Sequence, residues 1–591
     1  MTLYHAPTDD QRFALFDLLG AEATLTQLQG GGEHTRDLLD AVLEEAGKLA
    51  EQVLAPTNEA GDAEGCHFDK DSRSVTTPKG FKQAFKAFVD GGWPGLTAKE
   101  QFGGQALPGV MGIATTELFQ AGNLGWSLYP LLSEGACHAL ELHGTPAQQE
   151  TYMKPIVAGR WTGTMCLTEP QAGSDLGLLK TRAEPNADGS YAITGTKIFI
   201  SAGDHDLAEN IVHLVLARLP DAPAGSRGIS MFIVPKFMVG ADGALGTRNN
   251  AYPGAIEHKM GIHGSATCVM NFDGATGYLI GKPHKGLAAM FTMMNAARLS
   301  VGVQGLALAE RAWQNSLNYA RERLQGRSLS GAKLPEKVAD NLLVQPDVRR
   351  MLLTQRAFVE GSRALLYYTA LQTDIEARGS DEAARQKASE LVAFLIPIAK
   401  GFVTEIAQEA TKEALQIYGG HGYIAENGME QFVRDARIIT LYEGTTGIQA
   451  ADLLGRKILQ LQGVGFKHFA GEIGAFCKAH AGDAKLAAFI APLGAAVKQW
   501  GELTLALAGR VQANPEELGA AAVDYLWYSG YVTLAYFWAR SVAAAEAGNH
   551  PAAFKQAKRD TATFYFARLL PRTLAHKVAI EAGVASIPDI A

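Results

Sequence analysis

One carboxylate stands where it could act as a base. In Leu441-Tyr442-Glu443-Gly444-Thr445-Thr446-Gly447-Ile448-Gln449, Glu443 lies between an aromatic residue and a Gly-Thr-Thr-Gly run. Apolar, helix-forming segments flank it on both sides. Apolar walls disfavour the charged form of a carboxylate, which makes it a better proton acceptor near neutral pH. A loop glutamate ahead of a helix start carries the same letters, so the residue by itself leaves both readings open.

The flanks add information. Gln416-Ile417-Tyr418-Gly419-Gly420-His421-Gly422-Tyr423 and Arg434-Asp435-Ala436-Arg437 precede the glutamate, and a distant block reads Met165-Cys166-Leu167-Thr168-Glu169-Pro170-Gln171-Ala172-Gly173-Ser174-Asp175. In this order these blocks resemble the two signatures of the acyl-CoA dehydrogenase family, and the resemblance covers about residues 40 to 460. Ser201-Ala202-Gly203-Asp204-His205-Asp206 and the chain beyond Gly465 resemble the long bacterial branch of that family. That branch includes 3-methylmercaptopropionyl-CoA dehydrogenases and broad-specificity fatty acyl-CoA dehydrogenases.

The resemblance implies α,β-dehydrogenation of an acyl-CoA thioester, with FAD taking the β-hydride at N5. Glu443 matches the base, and its backbone N–H would polarise the thioester carbonyl. Some members place the base just before an arginine in the first long C-terminal helix; Ala297, before Arg298, stands there and cannot serve. Arg298, Ser174, Tyr442 and Gly444 fall at substrate-binding positions. Met165, Leu167 and Thr168 match residues lining the flavin ring, and Gly173 and Ser174 let phosphate-bearing groups approach backbone donors. Phe199 takes the place of an aromatic packed on the isoalloxazine, and Ser201 that of a hydroxyl bonding N5. At the adenine end, usually held by a neighbouring subunit, Arg323, Gln416 and Gly420 match, with Thr445 an FAD-contacting hydroxyl. Gln325-Gly326 and Gly447 depart from the commoner family letters, which bears on the pyrophosphate and ribose contacts. Asp204 and His205 fit either a pocket lining or a polar turn, and His421 a packing role in the Gly loop. Electron-transferring flavoprotein is the implied acceptor. A homodimer is favoured over a tetramer, because the C-terminal extension is well placed to cover a tetramer surface.

The elements that must position these residues follow from periodicity. Residues 1 to 28 read as a helical arm closed by Gly30-Gly31-Gly32. Helices are expected at Thr35 to Val53, Lys79 to Asp90, Ala106 to Gly122, Leu131 to His143 and from Pro146. The texture then turns to short, β-branched runs: 191–201, 211–218, 228–235, 267–272 and 277–281. Helical periodicity returns at about Leu287 and persists to Gly455, interrupted by a polar insertion at 328–346. Residues 465–591 read as Ala-rich helices broken at Pro492, Pro515 and Pro551. The expected class is α+β: an N-terminal helical domain (1–160), a middle β-barrel-like, mainly antiparallel domain (161–285), a C-terminal helical bundle (286–462) and a helical extension (463–591).

At 591 residues, 47% hydrophobic and 19% charged, the chain is expected to be a soluble multidomain protein. Its net charge of −8 argues against nucleic acid or anionic membrane as the main partner. Five scattered cysteines show no metal or redox spacing, which suits the cytoplasm and implies no metal. No signal peptide is visible, and the apolar run Tyr525 to Ala539 is too short to span a bilayer. The aromatic set within it reads as helical core or subunit interface, with attachment to a membrane surface as the alternative. Rival functions are an acyl-CoA oxidase, with the same base and flavin, a DNA-associated flavoprotein of the same superfamily, and a catalytically dead homologue. The last conflicts with the intact signature around Glu443. The DNA reading needs a basic C-terminal face, whereas residues 465–591 hold 12 Lys and Arg against 10 Asp and Glu.

Overall fold

The computed structural model describes residues 2–30 and 34–590. Gly31 and Gly32 of the expected linker therefore lie outside the described residues. The chain forms two compact units, each visited more than once: Lys48–Leu107 with Gly122–Ser300, and Met1–Gly47 with Pro108–Ala121 and Val301–Ala591.

The first unit is built on β-structure. A hairpin that periodicity did not reveal pairs β1 (His67–Asp69) with β2 (Ser74–Thr76). The main sheet uses β3 (Trp161–Cys166), β4 (Arg182–Pro185), β5 (Tyr191–Ser201), β6 (Asn210–Arg218) and β7 (Ile229–Pro235). After a short hairpin, β8 (Phe237–Val239) and β9 (Leu245–Arg248), it continues with β10 (Ala251–Ile256) and β11 (Thr267–Ile280). β11, β5, β4, β6 and β7 pair in a closed cycle, with β10 added on β11 and β3 on β6. This is the expected barrel-like layout, and only β3–β6 and a single β4–β6 contact run parallel. β6 and β7 are buried almost throughout, as their unbroken apolar runs require.

One expectation is corrected: 267–272 and 277–281 are a single strand. Gly274, at φ +66°, absorbs the irregularity between Asp273 and Ala275. β11 then leaves β5 at Gly277 and pairs with β7 from Tyr278. Helix Leu124–His143, capped by Asn123 Oδ1 on the Trp126 N–H at 3.0 Å, backs β3. A Cβ on Gly163 would lie 2.4 Å from that of Ala136, so only glycine permits this approach.

The second unit is helical. The N-terminal arm supplies Thr8–Arg12 and a π-helical turn Phe13–Leu18 whose Phe13, Leu15 and Leu18 are buried. Long helices follow at Pro346–Arg378 and Glu382–Pro397, with a π-turn Ile398–Phe402 leading into Val403–Tyr418. In the polar insertion, buried Asp340 accepts the N–H groups of Ser328, Lys333 and Leu334. Helix Glu516–Ala547 buries Tyr525, Tyr528, Tyr531, Tyr536, Phe537 and Trp538, so this aromatic set is core.

Pro492 does not break the chain as expected. It lies inside helix Ala487–Ala513, whereas Pro515 and Pro551 do stand at helix starts. Among the described residues no helix is long and apolar enough to cross a membrane.

At the centre of this unit, Arg363 is buried among carboxylates. It donates to Glu117 at 2.6 Å and to Glu310 at 2.6 Å, and it pairs with Asp10. Lys558 bonds the same Asp10 at 2.5 Å and Glu360 at 2.7 Å. The network thus ties the N-terminal arm and a C-terminal helix to the core.

Candidate active site

Glu443 occupies a strained turn. It follows helix Met429–Ile439 and precedes helix Thr446–Ala451, partly buried, at φ +54°, with Gly444 next at φ +92°. The left-handed region costs an L-residue on the order of 1 kcal/mol and persists only where neighbours fix it. They do. Gln449 Nε2 donates to the Glu443 carbonyl at 3.1 Å, and Lys400 Nζ to the Gly444 carbonyl at 2.6 Å. Thr446 Oγ1 bonds Glu405 at 2.5 Å, and the Tyr442 hydroxyl donates to Gln304. Burial, and then the charge of Glu443, push the Tyr442 phenol far above its usual range, so it stays protonated. Gly444 is required twice over: its φ disfavours a side chain, and a Cβ would sit 2.7 Å from Gln449 Nε2. Thr445 uses its hydroxyl to cap Ile448 N–H at 3.3 Å, which leaves its own proton to donate.

At one end of the same helical unit, the stacked rings of Tyr319 and Tyr418, 4.0 Å apart, pin two helix ends together. The Tyr319 hydroxyl meets His421 Nδ1 at 2.8 Å, so His421 has the expected packing role. Arg323 and Gln416 are exposed just beyond these tyrosines, and a Cβ on Gly419 or Gly420 would touch nothing within 4 Å. An arginine, an amide and open glycine backbone suit a phosphate-bearing group.

The β unit carries the remaining residues. Phe199 is 60% exposed at φ +57°, where the β5–β11 register shifts and a bulge turns its ring outward. An exposed aromatic on strained backbone offers a flat apolar face for a planar ring system. Ser201 follows, partly exposed. β3 itself holds buried Met165, and the loop after it holds Leu167 and Thr168 (partly exposed) and Gly173 and Ser174 (exposed). It is latched to β5 by Ile198 N–H on the Thr168 carbonyl at 2.9 Å.

Two charged residues absent from the expected site set hold this loop. Glu169 is buried and accepts from Lys197 Nζ at 2.8 Å, Lys180 N–H at 2.7 Å, Thr181 N–H at 3.0 Å and Oγ1 at 2.5 Å, and Gln171 at 2.6 Å. Lys197, with no exposure, also donates to the Leu167 carbonyl at 2.9 Å. Burial alone would raise the Glu169 carboxyl; Lys197 and the other donors outweigh it and hold it at about 2. The same burial pulls the Lys197 pKa down, so part of the pair's attraction offsets desolvation. Arg218 fixes the downstream loop through the carbonyls of Gly177 at 2.6 Å and Leu179 at 2.9 Å. A signal for Lys197 was present: it follows Ile193 at even spacing, on the inward face.

Asp204 and His205 are buried in a strand-end turn. Asp204 pairs with Lys236, and His205 Nε2 meets Thr162 Oγ1 at 2.9 Å. These are structural contacts, which favours the polar-turn reading. Arg298 is buried on helix Gly286–Glu322, next to Ala297. The Glu443–Gly444 turn, Arg323, Gln416 and Gly420 thus share the helical unit, while Met165, Leu167, Thr168, Gly173, Ser174, Phe199, Ser201 and Arg298 belong to the β unit.

Comparison with known proteins bears on this arrangement. Family profiles match nearly the whole chain: "Acyl-CoA dehydrogenase, N-terminal domain" at residues 37–160, "middle domain" at 164–275 and "C-terminal domain" at 284–459. "Acetyl-CoA dehydrogenase C-terminal like" matches 469–591. The 3-methylmercaptopropionyl-CoA dehydrogenase of Ruegeria pomeroyi is 44% identical over 574 residues, 96% of either chain. The broad-specificity linear acyl-CoA dehydrogenase FadE5 of Mycobacterium tuberculosis is 35% identical over 98% of either chain. An acyl-CoA dehydrogenase of Bacillus anthracis, solved in complex with FAD, shares the fold with a TM-score of 0.75 at 20% identity, covering 96% of this chain and 91% of its own.

Proposed function

Because the chain belongs to the acyl-CoA dehydrogenase family, an FAD-dependent class of oxidoreductases, we propose that it desaturates an acyl-CoA thioester between Cα and Cβ, with Glu443 as the base. The observation that carries this reading is the Glu443–Gly444 turn. A carboxylate is held on two successive left-handed residues by bonds to both of their carbonyls, an expense that core packing does not require.

The residues present fit FAD. Phe199 offers a flat apolar face, with the Ser201 hydroxyl two residues on and Thr168 latched to the adjacent Ile198 N–H, while Arg323, Gln416 and the open Gly419–Gly420 backbone suit the phosphate and adenosine portion. Met165, Leu167, Gly173, Ser174 and Thr445 complete the proposed cofactor set. When bound, FAD supplies the acceptor for the hydride that leaves Cβ.

Glu443 takes the proton from Cα; the carbon–hydrogen electron pair left behind becomes the new double bond as the hydride departs from Cβ. The base must be ionised to act, and the fixed turn aims it without reorganisation at the moment of transfer. Tyr442, kept protonated, adds no competing charge beside it. The Glu443 N–H is the donor we assign to the thioester oxygen, where it would acidify the α-proton. Gly444, Arg298 and Ser174 are assigned to the acyl-CoA.

The two close relatives suggest the substrate range: 3-methylthiopropanoyl-CoA or linear acyl-CoAs. Electron-transferring flavoprotein is the proposed acceptor and a homodimer the proposed assembly, with the adenine end completed by the second copy. The test is anaerobic titration with 3-methylthiopropanoyl-, butyryl-, octanoyl- and palmitoyl-CoA while flavin absorption is followed. Bleaching by one or a few of them is expected and sorts the substrate range. A yellow protein that none bleaches argues against the assignment, and a colourless one that FAD does not reconstitute overturns it.

A further inference from the structure

We infer that Lys400 is the positioning residue for the base turn, an inference that rests on Glu443 being the base. Lys400 lies in an otherwise apolar stretch and has no exposure. Burying an ammonium costs several kcal/mol unless its partners repay it, so lysine is a poor choice merely to fill core. Its Nζ donates to the Gly444 carbonyl at 2.6 Å, a short charge-assisted bond to the residue after Glu443.

Two features of the backbone aim it there. Lys400 is the middle residue of the π-turn Ile398–Phe402, a local helix insertion that costs stability and recurs at functional positions. The next residue, Gly401, lets helix Thr446–Ala451 come close: a Cβ on it would stand 3.1 Å from Gln449 Cβ and 2.7 Å from Leu526 Cδ2. The π-turn, the missing side chain at 401 and the buried ammonium therefore converge on one carbonyl. Gln449, also fully buried, holds the preceding carbonyl with a neutral amide at 3.1 Å. A neutral donor thus suffices to satisfy a carbonyl in this turn. The stronger, charged donor is placed on Gly444, whose φ of +92° turns the chain back toward the helix and fixes the orientation of Glu443.

The consequence is a division of labour. Lys400 touches neither substrate nor cofactor in this assignment; it removes the freedom of the Glu443–Gly444 peptide. Without it the turn relaxes toward unstrained backbone and the carboxylate spends less time in its reactive orientation. A displacement near 1 Å is enough to cost on the order of 100-fold in rate.

The experiment uses the FAD-loaded enzyme and the acyl-CoA that bleaches it best, with Lys400→Met, Lys400→Gln, Lys400→Arg and Glu443→Gln. K400M is expected to keep its FAD while the rate of flavin reduction at saturating substrate falls roughly 10- to 100-fold. The half-saturating concentration should change little. Amide hydrogen exchange across residues 441–447, read separately, should speed up. K400R and K400Q, which restore a donor, should recover part of the rate and part of the protection. If K400M does not fold, K400Q is read by the same criteria against K400R. Wild-type reduction and wild-type exchange in a folded K400M or K400Q would overturn the inference. E443Q separates the two claims: collapse in E443Q with normal K400M rejects Lys400 alone, whereas normal reduction in E443Q rejects the base assignment itself.

Discussion

Replacing Lys197 with methionine should loosen the whole loop that follows β3 in the β unit. The substitution keeps most of the side-chain bulk and removes the charge from a pair in which the lysine has no exposure and the glutamate 4%. Deleting one partner of a buried pair typically costs about 3–5 kcal/mol, mostly because the remaining charge is left uncompensated. Here Glu169 keeps its bonds from Lys180, Thr181 and Gln171, which places the loss near the lower bound. The Leu167 carbonyl also loses its donor, which adds about 1 kcal/mol. The sum, about 4 kcal/mol, corresponds to a factor of roughly 1,000 in the opening equilibrium. Amide hydrogen exchange of peptides from 161 to 201 is the assay, because the two compact units make a single melting temperature ambiguous. K197M should exchange on the order of 100- to 1,000-fold faster there, with unchanged exchange in helix Pro346–Arg378. The double substitution E169Q/K197M should recover part of the loss. Exchange within about threefold of wild type in K197M would refute the reasoning.

Three further outcomes follow. Phe199→Ala should leave stability within about 1 kcal/mol, because the ring is 60% exposed, yet weaken FAD binding as measured by cofactor retention on dialysis. Arg363→Met removes the cation shared by buried Glu117 and Glu310, while Asp10 keeps Lys558, and should cost about 3–5 kcal/mol, seen as lost soluble expression or early urea unfolding. His205 and His213 are held neutral, near 3, by burial and by the Lys236 charge, while an unfolded histidine titrates near 6.5. Their contribution is therefore complete above pH 6.5 and lost as the pH falls toward 3, at up to about 2.7 kcal/mol per pH unit for the two together. The raised Asp204 carboxyl offsets part of it. Exchange in β3 and β6 should accelerate steeply from pH 6.5 to 5 once corrected for intrinsic rates; a flat profile contradicts this.

The sequence made the fold legible where one face is apolar and the period is regular. The expected β5 has its observed ends, and most expected helices match within a few residues, but helix Leu124–His143 starts seven residues before the expected Leu131. Short or bent strands were not: β3, β4 and β10 carry little alternation, and β11 was split at Asp273–Thr276 because a left-handed glycine there looks like a turn. Pro492 is different: it stands at the sixth residue of helix Ala487–Ala513, past the first turn, and the helix runs on through it despite the lost backbone donor. At the site, the signature blocks made Glu443 and Thr168 candidates by their place in the motif, and Phe199 became one by its register on β5. Glu169, Lys197 and Lys400 were invisible because their roles depend on partners brought close only by folding. The Glu169–Lys197 pair spans 28 residues and the Lys400–Gly444 bond 44. A charge at an inward strand position, or inside an apolar helix, is the trace such residues leave.

Stopped-flow flavin reduction in the Glu443→Gln variant tests the central claim most directly. Glutamine keeps the volume and the turn but accepts no proton at this pH, and a general base contributes roughly 100- to 10,000-fold. The variant should bind FAD as a yellow protein and reduce it at least about 100-fold more slowly than wild type with the preferred acyl-CoA. Reduction at a near-normal rate would place the base elsewhere and contradict the account.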